Sequence, residues 1–237
     1  DDVVVLEGTH GILLHPRFGF TPHVTSTDVG FAPAADFLER AGHEGACSKV
    51  GVLRAYLTRT GPGPLVSFDG GLTARLPERH NLATEWLSRF RAGSFDLLAA
   101  RYALRCSGGV DFISLTNVDR LASEETVRVC TAYEYCGNDT AALTPFFFFL
   151  RVDGKVRINL YRHDLPCNEG VLARLLDSCR PLEMRDFPGW GPLDCLASEK
   201  SLPVSLRDFL FYLESDAGLA TPIGIVSHGP KASEKLV

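Results

Sequence analysis

The chain has seven cysteines (Cys47, Cys106, Cys130, Cys136, Cys167, Cys179 and Cys195) but no Cys-x-x-Cys pair. An odd number of scattered thiols argues against a disulfide scaffold and against structural zinc. It fits a reducing compartment, so a cytoplasmic protein is expected. Positive charge is also in short supply: 24 Lys and Arg face 29 Asp and Glu, a net charge of −5. That excludes a broad electrostatic grip on nucleic acid, and any anion must be held locally by backbone amides and a few arginines. No apolar run is long enough to cross a membrane. The longest, Ala141–Leu150 with Phe146–Phe149 inside it, fits a buried strand. Signal-peptide patterns, internal repeats and low-complexity tracts are all missing. So is a G-x-x-x-x-G-K-[ST] phosphate loop.

What remains is an ordinary globular composition, 45% hydrophobic and 22% charged over 237 residues, sufficient for a substantial core. Residues 1–237 read as a single domain. An apolar run, Val3–Leu6, follows Asp1 almost at once and reads as a short buried strand. A strand at that place needs neighbours to pair with, so residues N-terminal to Asp1 are expected. Beyond it a glycine turn leads into a crowd of polar groups: His10, His15, Arg17, His23, Thr25, Ser26 and Asp28. A strand ending in a glycine turn with hydroxyls and amides beyond it often holds phosphate in α/β folds. An ordinary polar loop has the same composition.

The rest alternates between helix and strand patterns. Helices are expected over Pro33–Ala46, Ser94–Cys106 with Ser94 as N-cap, Asn168–Cys179 with Asn168 as cap, and Ser205–Ser215. Strands are expected over Lys49–Thr60, Val110–Leu115, Glu125–Tyr135, Thr140–Leu150, Val152–Leu160 and Pro222–Val226, with Asp153-Gly154 as a hairpin turn. Ser67–His80 reads as a loop with a tight turn at Asp69-Gly-Gly71. Thr116-Asn-Val-Asp119 follows a strand, and on local pattern alone it is equally an Asx turn.

Several short motifs occur in a meaningful order. They are Glu7-Gly-Thr-His-Gly11, Pro22-His-Val-Thr-Ser26, Gly51-Val-Leu-Arg-Ala-Tyr-Leu-Thr-Arg-Thr-Gly-Pro-Gly-Pro64, Arg89-Phe-Arg91 before Gly93-Ser-Phe-Asp96, Thr116-Asn-Val-Asp119, Phe187-Pro-Gly-Trp190 and Ser227-His-Gly-Pro230. Together the chain resembles the C-terminal portion of the adenylosuccinate synthetase family. The resemblance implies an α/β fold, a largely parallel central sheet flanked by helices with smaller α+β insertions. It implies a carbon–nitrogen ligase that uses GTP and Mg2+ to condense aspartate with IMP or a related purine monophosphate. In that reaction GTP phosphorylates the purine 6-oxygen, and the amine then displaces phosphate at C6.

The site residues carried over by the resemblance are as follows. His10, Thr25, Ser26 and Arg89 would bind the purine monophosphate, and Arg89 and Arg91 would grip the amino acid or phosphates by guanidinium–carboxylate pairing. Thr116, Asn117, Asp119, Ser227, His228 and Gly229 would frame the guanine of GTP, and Arg59 could reach a ribose or phosphate. No catalytic residue and no metal ligand is expected in this chain, because the family's base and catalytic histidine lie N-terminal to it. A homodimer is implied by analogy, with no nucleic-acid or membrane partner.

Three departures stand out. His10 takes the place of a glutamine that contacts the purine, Asn117 that of a lysine over the guanine, and Glu85–Phe90 thins the family's threonine- and arginine-rich loop. The missing phosphate loop and the thinned arginine loop favour one alternative, a non-catalytic purine-nucleotide-binding homologue; the changes at His10 and Glu85–Phe90 motivate another, a divergent ligase for another purine or amine, as in phage or secondary metabolism.

Overall fold

The computed structural model describes residues 3–76, 90–162, 170–193 and 201–237. In chain order the elements are α1 (Ala32–Arg40), β1 (Val50–Arg54), β2 (Leu57–Arg59), α2 (Gly70–Arg75), β3 (Arg91–Gly93), β4 (Phe95–Asp96), α3 (Leu97–Cys106), β5 (Phe112–Thr116), β6 (Thr126–Tyr135), β7 (Phe147–Val152), β8 (Lys155–Tyr161), α4 (Val171–Asp177), β9 (Cys179–Pro188), α5 (Val204–Glu214), β10 (Ile223–Ser227) and β11 (Lys235–Leu236).

The central sheet has the order β1-β5-β10-β11. Its three principal strands run parallel, and β11 adds an antiparallel edge. Parallel neighbours need crossover connections, which here include helices α3 and α5. Ile113 and Leu115 on the middle strand β5 are fully buried among Leu97, Ala100 and Leu104 of α3 and Leu206, Phe209 and Leu213 of α5. This is the α/β sheet the sequence led us to expect. The α+β part is a five-stranded sheet of order β4-β6-β8-β7, with β9 also paired to β6. It is antiparallel except for the β4–β6 pair. Its core joins Tyr133, Phe147, Ile158 and Tyr161 to Leu172 and Leu176 of α4.

Helix α3 serves both cores. Leu97, Ala100 and Leu104 face the first, while Leu98 and Tyr102 face the second, which follows from two i, i+3/i+4 stripes on one cylinder. The Asp96 carboxylate caps it by accepting from the Ala99 amide at 3.0 Å, so Asp96, not Ser94, is the N-cap. Gly108 and Gly109 end it in the left-handed region, at φ 79° and 82°.

Several expectations need correction. Val3–Leu6 is not a buried strand: Val3, Val4 and Val5 are 90%, 75% and 82% exposed and pair with nothing described. Lys49–Thr60 is two strands in different sheets, because β1 makes its last ladder bond from Ala55 to Thr116 and the buried Tyr56 then turns the chain aside. Ser67–His80 contains α2, since the Asp69 carboxylate caps the Leu72 amide at 2.9 Å. α1 forms, but it stops at Arg40 and buries none of its residues. Thr140–Leu150 begins as a 3-10 turn, and its strand starts only at Phe147. β9 was not foreseen. The helix expected to end at Cys179 ends at Asp177 behind Gly170, and Asn168 lies outside the described residues. The Asp153-Gly154 turn is present, with φ 49° and 75°.

Asp96 is fully buried and hydrogen-bonded by the Tyr133 hydroxyl, and burial pushes its carboxyl up to about 6 from an ordinary 3.8. A raised carboxylate holds its proton longer in the folded chain than in the unfolded one. Its contribution therefore favours folding at low pH and declines as pH rises from about 4 to about 6. We expect the stability of the wild type relative to Asp96→Asn to fall by about 3 kcal/mol across that window, measured by urea unfolding at a series of pH values. A flat difference would show that the carboxyl is not shifted.

Candidate functional site

Two groups of expected site residues are brought together at separate places. The first lies at the carboxyl ends of the neighbouring parallel strands β5 and β10, where ligands gather in open α/β sheets. In-register pairing of Leu115 with Val226 sets Thr116–Asp119 beside Ser227–Gly229. Asn117 takes a left-handed conformation (φ 65°), which asparagine tolerates better than most residues, and this turns Asp119 toward an open pocket. The pocket has a volume near 410 Å³ and is lined by Asp119, Ala122, Ser123, Pro192, Leu193 and His228. His228 Nε2 is buried there with no hydrogen-bond partner. A carboxylate on the wall of an open pocket suits a ligand that brings its own donors, as a purine edge does.

Not every expected residue faces that pocket. The Thr116 hydroxyl is spent on the Leu53 carbonyl at 3.1 Å, and the Ser227 hydroxyl donates to the Gly229 carbonyl at 3.2 Å. Both act on the turns themselves. The second turn is braced from behind: Lys235 Nζ donates to the Gly229 carbonyl, and the Glu234 carboxylate accepts from the Lys231 amide at 2.6 Å. The first is braced by Trp190, whose Nε1 donates to the Val118 carbonyl at 3.0 Å. The Phe187-Pro-Gly-Trp190 marker thus has a physical task next to the pocket. Ser123, Pro192 and Leu193 are pocket residues that sequence reasoning missed, because small and apolar side chains carry no chemical signature. A second, polar cavity of about 400 Å³ shares Ser123 and is lined by Tyr56, Asp69, Ser94 and Arg128. At it, Arg75 clamps Glu124 through two 2.7 Å bonds.

The other group joins the Thr25–Ser26 segment to a pair of arginines through Arg59. Arg59 and Arg91 stand directly opposite each other on β2 and β3, a like-charge pairing that costs stability unless something offsets it. Here backbone carbonyls do so. Arg59 Nε donates to Pro62 at 2.8 Å and its Nη2 to His23 at 2.9 Å. Arg91 Nη2 donates to Gly61 and Gly63, both at 2.8 Å. Burial, then the charge of Arg91, brings the Arg59 guanidinium down to about 10, and burial also lowers Arg91. Each guanidinium has five N–H donors, of which the carbonyls take two. The remainder sit on two partly desolvated cations that feel the charge of Asp177 but have no carboxylate within ion-pair distance among the described residues, and they could grip an anion. Through its bond to His23, Arg59 ties this grip to the Thr25–Ser26 segment. His10 is exposed, left-handed at φ 61°, and among the described residues bonded to the Thr9 hydroxyl at 3.1 Å. Arg89 and most of Glu85–Phe90 lie outside the described residues.

Inorganic phosphate at about ten times its dissociation constant is expected to raise the melting temperature by about 4 °C, and Arg91→Met to remove most of that rise. An equal rise in the variant, by scanning calorimetry, would place the anion elsewhere.

Among the described residues no group of three His, Cys, Asp or Glu is gathered that could hold a metal ion. Nor is any helix long and apolar enough to cross a membrane.

Comparison with known proteins identifies the family. The chain is 31% identical over 243 residues to an adenylosuccinate synthetase of Citrifermentans bemidjiense and 32% identical over 241 residues to one of Mycobacterium leprae. The matches cover 99% and 100% of this chain and 48% of each relative, so it spans about half their length. Its fold superimposes with a TM-score of 0.74 on the fully ligated adenylosuccinate synthetase of Plasmodium falciparum, at 23% identity, over 98% of this chain and 49% of that one. The model of the adenylosuccinate synthetase family matches residues 1–236. The chain therefore belongs to the adenylosuccinate synthetase family.

Proposed function

We propose that this chain carries the nucleotide-recognition part of a GTP-dependent carbon–nitrogen ligase that joins an amino acid, aspartate in the first instance, to IMP or a related purine monophosphate. The observation that carries the reading is the pocket between the β5 and β10 turns. There Asp119 offers a carboxylate that can accept from the guanine N1–H and N2–H2 together. His228 lines the same pocket. The hydroxyls of Thr25 and Ser26 with the Arg59–Arg91 pair would take the 5′-phosphate of the second nucleotide, and Arg91 the amino acid's carboxylate.

The residues in hand bind and orient; they do not supply the proton transfers. GTP fits the pocket by its base. Magnesium has no gathered ligand set among the described residues. By the same analogy we propose a cytoplasmic homodimer.

The test is a phosphate-release assay of the full-length protein with GTP, IMP and aspartate, accompanied by mass detection of the adduct and repeated over a panel of purine monophosphates and amines. Release that requires all three substrates supports the aspartate reaction. Release with another amine or purine moves the assignment to a divergent ligase. Purine-monophosphate binding without turnover makes the protein a non-catalytic binder.

A further inference from the structure

The segment that bears Thr25, Ser26 and Thr27 is folded on itself in a particular way. A 3-10 turn over Ile12–Leu14 ends at His15. The chain then loops back so that the Thr25 amide donates to the Leu14 carbonyl at 2.8 Å. Gly19 permits the return, since a Cβ there would come within 2.6 Å of the His15 carbonyl and 2.7 Å of the Leu13 carbonyl. At the far end of the three hydroxyls, Asp28 Oδ1 lies 3.2 Å from His15 Nε2 and accepts from the Gly30 amide at 2.8 Å. The three hydroxyl residues therefore form an arch with one foot on Leu14 and the other on His15. Within the arch the Thr25 and Thr27 hydroxyls are 3.3 Å apart.

His15 is built for this task. It is buried, with its ring against Phe18 at a centroid distance of 4.7 Å. Its Nδ1 accepts from the Arg17 amide at 3.0 Å and lies 3.4 Å from the Phe18 amide. Two N–H groups aimed at Nδ1 leave the neutral ring's proton on Nε2, pointing at Asp28. A surface loop of hydroxyl residues is otherwise mobile, and ordering it on ligand binding would cost conformational entropy.

We propose that His15 and Asp28 are positioning residues that close the Thr25–Thr27 arch and so pre-form the phosphate site. This rests on the assignment of that arch to the purine monophosphate. Neither residue touches the ligand: His15 acts through Asp28, and Asp28 through the backbone of the arch.

The experiment compares wild type, Asp28→Ala, Asp28→Asn and His15→Ala in the full-length protein. It measures IMP affinity by calorimetry, GTP affinity as a control on the distant pocket, and hydrogen exchange of the Thr25 amide, which bonds to neither substituted side chain. Loss of the latch is expected to weaken IMP binding by about tenfold and to speed Thr25 exchange by a similar factor in Asp28→Ala, with GTP affinity unchanged. Asp28→Asn keeps an oxygen that can accept from both Nε2–H and the Gly30 amide, and it is expected to stay within about twofold of wild type. Should His15→Ala fail to fold, the two Asp28 variants decide alone. Wild-type exchange at Thr25 together with unchanged IMP affinity in Asp28→Ala would overturn the proposal, as would an Asp28→Asn variant as impaired as Asp28→Ala. If wild type binds no IMP, the ligand assignment fails, and the exchange rates still show whether the latch closes the arch.

Discussion

Replacing Asp119 by asparagine is expected to weaken GTP binding by about 10²–10³-fold and to turn the preference toward xanthosine triphosphate. The carboxylate can accept from the N1–H and the N2 amino group of guanine at once, and both bonds are charge-assisted. Asparagine keeps one acceptor and puts an N–H2 where the second acceptor stood, so one pair becomes donor against donor. Two charge-assisted bonds lost or reversed in a half-enclosed pocket account for about 3–4 kcal/mol, which is the stated factor. Xanthine carries a carbonyl in place of the amino group, and the asparagine N–H2 can meet it. The affinity of both nucleotides is measured for wild type and variant by competition with a fluorescent guanine nucleotide. A variant that loses both equally would mean that Asp119 supports the turn and does not read the base. His228→Ala should cost less, because it removes no charge-assisted bond to the base.

The second large effect is on stability. Gly189→Ala is expected to cost about 3 kcal/mol or more, since a Cβ there would overlap the Glu124 carbonyl oxygen, which is backbone and cannot step aside. Gly189 also donates its amide to Glu125 at 2.8 Å, so the clash falls where β9 is pinned to the start of β6. The next residue offers a milder probe. Trp190 is buried against Phe209 at a ring distance of 5.4 Å, and Trp190→Phe keeps most of that packing while removing the donor to Val118. That loss should cost about 1–3 kcal/mol and loosen the Asn117–Asp119 turn, so GTP affinity should drop along with stability. Urea unfolding and GTP titration of the two variants separate the effects. Wild-type GTP affinity in Trp190→Phe would show that the turn holds without its brace.

Much of this architecture was legible because the relevant physics is local. The α3 stripe, the left-handed glycines after it and the Asp153-Gly154 turn are determined by residues a few positions apart. The Asn117–Asp119 and Ser227–Gly229 turns were readable as candidates for the same reason. Their juxtaposition was implied only by the family resemblance, since local pattern does not show the parallel pairing of β5 with β10 that creates it. The misses have long-range causes. β9 (Cys179–Pro188) mixes charged and apolar residues without strict alternation, and its identity comes from the ladder it shares with β6. Lys49–Thr60 is continuous in composition but divided between two sheets by the burial of Tyr56. The apolar run Val3–Leu6 has strand chemistry and no described partner, so composition alone misjudged its burial. Arg59 carried no sign of its second task, in which its Nε and Nη2 hold backbone carbonyls. Side-chain type cannot reveal which acceptors a fold will bring within reach.

Helix α3 has a bearing on how such a protein can change over generations. Its Tyr102 hydroxyl donates to the Phe18 carbonyl at 2.6 Å, under the loop that returns to Thr25. Leu97 and Leu104 pack in the same core as Ile113 and Leu115 of the strand that ends at Asn117. A substitution on this helix is thus felt beneath both candidate binding regions at once. Drift that retunes one region alone has little room to begin there and has to arise in the turns and arches themselves.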